Sequence, residues 1–190
     1  MKRKKSLLKL TFTALFAALI AACTLISIPM PSGVPITLQT FAVALCGFIL
    51  PLPYAAVAVV VYLAVGAVGL PVFAGFRGGL SVLASVTGGF LVGFIPMAAL
   101  SAVPAKGWRR LIFGFLGVLV CHTAGFLWYS VVSGVGILPS FIGVSLPYLP
   151  KDFVSVALAY LISACGTHPA CGKSAPHDRG TVAGELRLFA

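Results

Sequence analysis

Asp152 is the only acidic residue in the first 177 positions of this chain. Around it run long stretches with hardly a charge: Leu7–Ile28, Thr37–Leu50, Tyr54–Val68, Ser81–Val103, Leu111–Val132 and Asp152–Ala164. A helix crossing a bilayer needs about 20 apolar residues, fewer where the bilayer thins. With 60% hydrophobic and 8% charged residues and a mean hydropathy of +1.12, too few polar side chains remain to cover a soluble domain. The runs are separated by Pro- and Gly-rich breaks such as "PMPSGVP", "PLP" and "GLPVFAGFRGG". The expected fold is an all-α integral membrane protein, a bundle of six transmembrane helices.

The net charge of +10 is placed to orient such a bundle. Lys2, Arg3, Lys4, Lys5, Lys9, Lys106, Arg109 and Arg110 fall in segments on one side. Only Arg77 and Lys151 fall on the other. Lys and Arg accumulate in cytoplasmic segments, so both termini are expected to be cytoplasmic. Pro29–Ile36, Gly69–Leu80 and Ser133–Lys151 then become outer loops. Clusters at span ends also suit anionic lipid. No basic face with interleaved aromatics exists, which argues against nucleic acid. The chain is expected to divide into a basic cytosolic N-terminus (1–6), a six-helix membrane substrate-binding domain (7–166) and a polar cytosolic tail (167–190) expected to be disordered. Three of the five cysteines, Cys23, Cys46 and Cys121, lie inside apolar runs as small hydrophobes, and no disulfide is expected.

Several short motifs carry less than they first suggest. "GKS" at 172–174 resembles the end of a phosphate loop, yet five residues separate Gly166 from Gly172 where that loop has four, and no strand precedes it. Cys165, His168, Cys171 and His177 cluster without a second ligand pair at zinc spacing, so no metal is expected. "LLKLTFTALFAALIAAC" resembles a lipoprotein signal ending at Cys23, but five further apolar runs follow it, which favours an uncleaved first span. No nucleophile–base–orienter set is visible. His122, the only histidine within the spans, is expected to be a core residue bonded to a backbone carbonyl. The chain is therefore expected not to be an enzyme and to need no cofactor.

Two features have a functional reading beside a structural one. Ala14, Ala18 and Ala22 recur every fourth residue and leave one smooth helix face. Such faces allow close helix approach in lipid, either within the bundle or against a membrane partner. Asp152 stands at the outer mouth of the last span. A carboxylate there is costly unless paired or in a wet site, and it equally suits a helix N-cap. With Arg77, the adjacent Lys151 and the neutral Thr37 and Gln39 of "PITLQTF", it makes one membrane face fit for a ligand bearing donors and an anionic end.

"PSGVPITLQTFAVALCG", "YLAVGAVGLPVFAGFRGG", "TGGFLVGF" and "LPYLPKDFVSVALA" resemble, in this order, segments of the BioY family, from about Ala14 to Ala159. BioY proteins are the biotin-capturing subunits of energy-coupling-factor transporters. The resemblance implies six helices, a biotin pocket open to the outside, a multi-pass position in the bacterial cell membrane, and an Ala-rich face on helix one. That face would dock on a transmembrane scaffold subunit served by two cytosolic ATPases. It implies that Asp152 accepts ureido N–H groups, that Arg77 or Lys151 meets the carboxylate, and that Gln39 and Thr37 add polar contacts. Phe73, Tyr148 and the Gly88–Gly89 backbone would pack on the bicycle. The chain departs from the family pattern in three places: "LPLPYA" for "LGPKRG", "SVTGGF" for "GPTGGY", and "PKDFVS" for "PGDLxK". The last puts Ser155 where the family has lysine, leaving Lys151 or Arg77 to take over its role. An S component for another vitamin or heterocycle is the alternative reading, with an intramembrane enzyme behind it.

Overall fold

In a computed structural model, residues 2–167 are described, with side chains for 7–165. The tail from 168 onward, with its "GKS" and most of the Cys/His cluster, lies outside the described residues. Eight helices and one two-stranded ribbon make up the described part. They are α1 Lys2–Leu25, α2 Gln39–Ile49, α3 Leu52–Ala67, α4 Leu80–Ala84, α5 Gly88–Ser101, α6 Trp108–Ser133, α7 Ile137–Val144 and α8 Leu149–Thr167. Between α1 and α2, β1 Ser27–Ile28 pairs antiparallel with β2 Ile36–Thr37.

The exterior is more apolar than the interior requires. Leu15, Val57, Val60, Leu119, Leu158 and Leu161 are exposed, while Thr24, Gln39, Thr40, Ser101, His122 and Asp152 are buried. This inside-out distribution suits a lipid surround, where polar groups turn to the bundle interior. Leu7–Leu25 and Trp108–Ser133 are each long and apolar enough to cross a membrane. The pair α7–α8, bent by 52°, forms a third such stretch, and α2, α3 and α5 are shorter apolar helices.

Small residues bring the helices together. The α5–α6 contact is the most extensive in the fold. A Cβ added at Gly93 would lie 3.0 Å from the Cys121 Cα, and one at Gly117 would lie 3.1 Å from the Met97 carbonyl. Without a hydrophobic drive between helices in lipid, such backbone proximity supplies the packing energy.

Three expectations from sequence need correction. Ser81–Val103 is not one helix, because it breaks at Ser85–Thr87. The Ser85 hydroxyl donates to the Val82 carbonyl (2.7 Å), offering the backbone a partner outside the helical ladder. The Trp128 indole N–H captures the Ser85 carbonyl that the break sets free (2.9 Å). The segment Ser133–Lys151 is not all loop, since it holds α7 and the first turn of α8. Asp152 is not an N-cap. Helix α8 starts at Leu149 with Pro150 in its first turn, where a missing N–H costs nothing. The Asp152 N–H already donates to the Tyr148 carbonyl (3.0 Å), so its carboxylate is released for other work.

Candidate functional site: a cavity around Asp152

A cavity opens where the starts of α2, α5 and α8 meet the middle of α6, and the β1–β2 hairpin and the α3–α4 loop roof it. The space between its walls is about 690 Å³ with the open mouth included. Its floor is apolar (Leu91, Phe94, Met97, Val118) and its polar groups are few and convergent.

The roof is tied down by side chains far apart in sequence. The Tyr148 hydroxyl donates to the Val34 carbonyl (2.6 Å) and lies 3.0 Å from the Ser32 hydroxyl. The Tyr129 hydroxyl donates to the Ser32 carbonyl (3.2 Å), and Val34, Val144 and Tyr148 form a small core of their own. The Lys151 ammonium donates to the Thr37 carbonyl (2.9 Å). On the other side, Phe73 and Arg77 close a tight turn through reciprocal backbone bonds of 2.9 and 3.3 Å. Gly75 and Phe76 have positive φ there, 72° and 56°. The Phe73 ring turns inward, edge-on to Tyr62 at 5.6 Å.

At the centre stands a charged cluster. The His122 Nε2 lies 2.9 Å from the Asp152 Oδ2. The Lys151 ammonium is ion-paired with Oδ1, so both carboxylate oxygens are engaged. Asp152 and His122 are 6% and 5% exposed, and a buried carboxylate persists only when paired in this way. His122 therefore bonds a carboxylate, not the backbone carbonyl expected of it.

The cavity brings together Thr37, Gln39, Phe73, Arg77, Tyr148, Lys151 and Asp152. Arg77 sits exposed at the rim, its Nε donating to the Ala74 carbonyl (3.2 Å). Ser155, at the position of the family lysine, is buried outside the lining while Lys151 reaches into it. Gly88 and Gly89 do not line the cavity, which corrects their expected contact with a ligand. A Cβ at Gly88 would lie 2.8 Å from the Leu83 carbonyl carbon, and one at Gly89 would lie 2.6 Å from the Ala124 carbonyl oxygen. These glycines seat α5 against α4 and α6. Sequence reasoning missed His122 and Phe90, which meet edge-on at 5.6 Å. His122 and Asp152 are 30 residues apart, and only the docking of α8 on α6 joins them. Ala14, Ala18 and Ala22 share an exposed face of α1, while Phe16, Ala17 and Ile20 face the core.

A small-molecule cavity with one ion-paired carboxylate, roofed by loops and set in an apolar-surfaced helical bundle, defines a membrane receptor or carrier of small polar ligands. Among known proteins, the BioY family profile matches residues 1–171. The biotin transporter BioY of Rhodobacter capsulatus is 35% identical, over 80% of this chain and 90% of its own. The probable biotin transporter BioY of Pyrococcus horikoshii is also 35% identical, over 82% and 93%. The crystal structure of the S-component for biotin from an ECF-type ABC transporter superposes with a TM-score of 0.79 and 28% identity, covering 86% of this chain and 92% of that one. The chain belongs to the BioY family.

Proposed function

We propose that this chain is the biotin-binding membrane subunit of a vitamin uptake transporter, taking biotin from outside and handing it inward with an ATP-driven energy-coupling module. The observation that carries this reading is the placement of seven polar, charged and aromatic residues around one cavity in a member of a family of biotin transporters. Biotin offers a bicycle with two ureido N–H groups and a carbonyl, and an acyl chain ending in a carboxylate. Asp152 Oδ1 accepts a ureido N–H beside its ion pair with Lys151, and the buried Gln39 amide, which also hydrogen-bonds Tyr62, donates to the ureido carbonyl. Phe73 and Tyr148 pack on the bicycle, Thr37 adds a polar contact, and Lys151 fixes Asp152 and the hairpin together.

Arg77, on the rim, meets the carboxylate. Its exposure keeps the effect modest. Arg77→Gln is expected to weaken biotin binding roughly two- to tenfold, and to leave binding of the neutral biotin amide unchanged. Titration of both ligands checks this.

The bundle would cross the bacterial plasma membrane six times, with both termini cytoplasmic. The shorter α2, α3 and α5 would reach the faces through their flanking loops, and the roofed cavity would face outward. The exposed Ala14–Ala18–Ala22 face would dock on a transmembrane scaffold partnered by two cytosolic ATPases. The function is tested by binding of labelled biotin to the purified full chain. Saturable binding that other vitamins do not displace is expected. Absent binding, or equal displacement by another heterocycle, would overturn it.

A further inference from the structure

We propose that His122 is a ligand-contacting, specificity-determining residue whose Nδ1 accepts the second ureido N–H of the bound ligand. This rests on the biotin reading above and adds a residue to it. His122 is 5% exposed and lines the cavity, and its Nδ1 has no hydrogen-bond partner among the described residues. Buried polar atoms are rarely left unpaired, and this one belongs to the wall of the space a ligand would fill.

The tautomer of His122 sets what its free nitrogen does. Nε2 lies 2.9 Å from Asp152 Oδ2. A carboxylate ion-paired with Lys151 is an acceptor only, so Nε2 carries the proton. Lys151 already balances the Asp152 charge, and a second buried cation would stand uncompensated beside the apolar lining formed by Phe90, Val118 and Cys121. The ring is therefore neutral, and Nδ1 presents a lone pair. The other charged or titratable groups lining the cavity are Arg77, Cys121 and Tyr148. Tyr148 donates to the Val34 carbonyl and Cys121 to the Phe90 carbonyl (3.5 Å), so neither supplies the missing partner. The edge-on Phe90 ring limits rotation of the imidazole. Two acceptors, Nδ1 and the remaining lone pair of the Lys151-paired Oδ1, complement the two N–H donors of a cyclic urea. A lactam or a cyclic carbamate would engage only one of them.

The test uses the purified full chain and two cyclic carbamate analogues of biotin, each with one ureido N–H exchanged for oxygen. On the unmodified protein each analogue is expected to bind on the order of ten- to hundredfold more weakly than biotin, since each strands a buried acceptor. Full affinity for either one overturns the proposal. Two substitutions then separate contact from positioning. His122→Gln keeps a donor for Asp152 but lacks an acceptor at the Nδ1 position, whereas His122→Asn keeps that acceptor and gives up the bond to Asp152. His122→Gln is expected to lose on the order of tenfold or more in biotin affinity, and to bind one of the two analogues as well as it binds biotin. Undiminished biotin affinity in His122→Gln, with a loss in His122→Asn, means that His122 acts only by holding Asp152 and overturns the contact. If the unmodified protein fails to bind biotin, the functional reading itself fails, an outcome separate from every variant result.

Discussion

Asp152→Asn is expected to weaken biotin binding by about 2–4 kcal/mol, roughly 30- to 800-fold, in a protein that still folds. The carboxylate is the one anion in the cavity, and the change removes its charge without changing its shape. His122 Nε2 can still donate to the amide oxygen, so the α6–α8 contact persists. Lys151 keeps its bond to the Thr37 carbonyl, so the hairpin stays tied to α8. What is lost is the acceptor now at Oδ1. An amide turned to keep its oxygen on His122 presents N–H₂ to the ureido N–H, placing donor against donor. The Lys151 ammonium also loses its counter-ion within the cavity wall, which adds to the cost in a poorly solvated site. Titration of labelled biotin into the purified variant measures the effect. Its thermal transition without ligand reports the fold. Unchanged affinity would remove Asp152 from the site. A collapsed transition without ligand would instead make the residue part of the scaffold.

The helical membrane class was plain in the sequence because it rests on run length and charge, which need no tertiary information. The charged residues of the cavity were legible for a related reason. In a chain this poor in charge, Asp152, Lys151 and Arg77 stand out wherever they fall, and each is placed at the cavity. The misses have a different origin. Gly88 and Gly89 looked like ligand-side backbone, but a glycine pair reads the same whether a ligand or a tryptophan sits against it, and here Trp128 does. The break at Ser85 depends on a side chain capturing a carbonyl in its own turn and on an indole from α6, neither of which periodicity records. The hairpin of Ser27–Ile28 with Ile36–Thr37 is two residues per strand, too short for an alternating pattern. His122 was invisible as a partner of Asp152 because that carboxylate arrives from another helix. Its meaning is set by what faces it across the packed interface.

Gly66→Ala is expected to damage the site by a steric route. Gly66 lies near the end of α3, with the Phe73 ring directly against its backbone. An added Cβ would come within 2.6 Å of the Phe73 Cε2, inside the ring's own volume. Phe73 is fully buried, lines the cavity and packs edge-on against Tyr62, so the methyl group can push it only toward Tyr62 or into the cavity. The same residue anchors both ends of the α3–α4 loop, because the Gly66 carbonyl accepts from the Gly69 N–H (3.1 Å) and the Gly79 N–H (2.7 Å). Displacing Phe73 therefore lifts the turn that carries Arg77 along with the ring. Overpacking of this kind costs about 1–3 kcal/mol. It is expected here both as a lower thermal midpoint and as roughly tenfold weaker biotin binding. The sign of the compensating change makes the explanation specific. Phe73→Leu alone opens a void and weakens binding through lost packing, whereas in the Gly66→Ala background it makes room for the new methyl group. The double variant is thus expected to melt higher than Gly66→Ala alone. If the two losses instead add without recovery, the ring is not what the methyl group strikes, and the coupling between the end of α3 and the roof of the cavity must run through the backbone bonds to the Gly66 carbonyl.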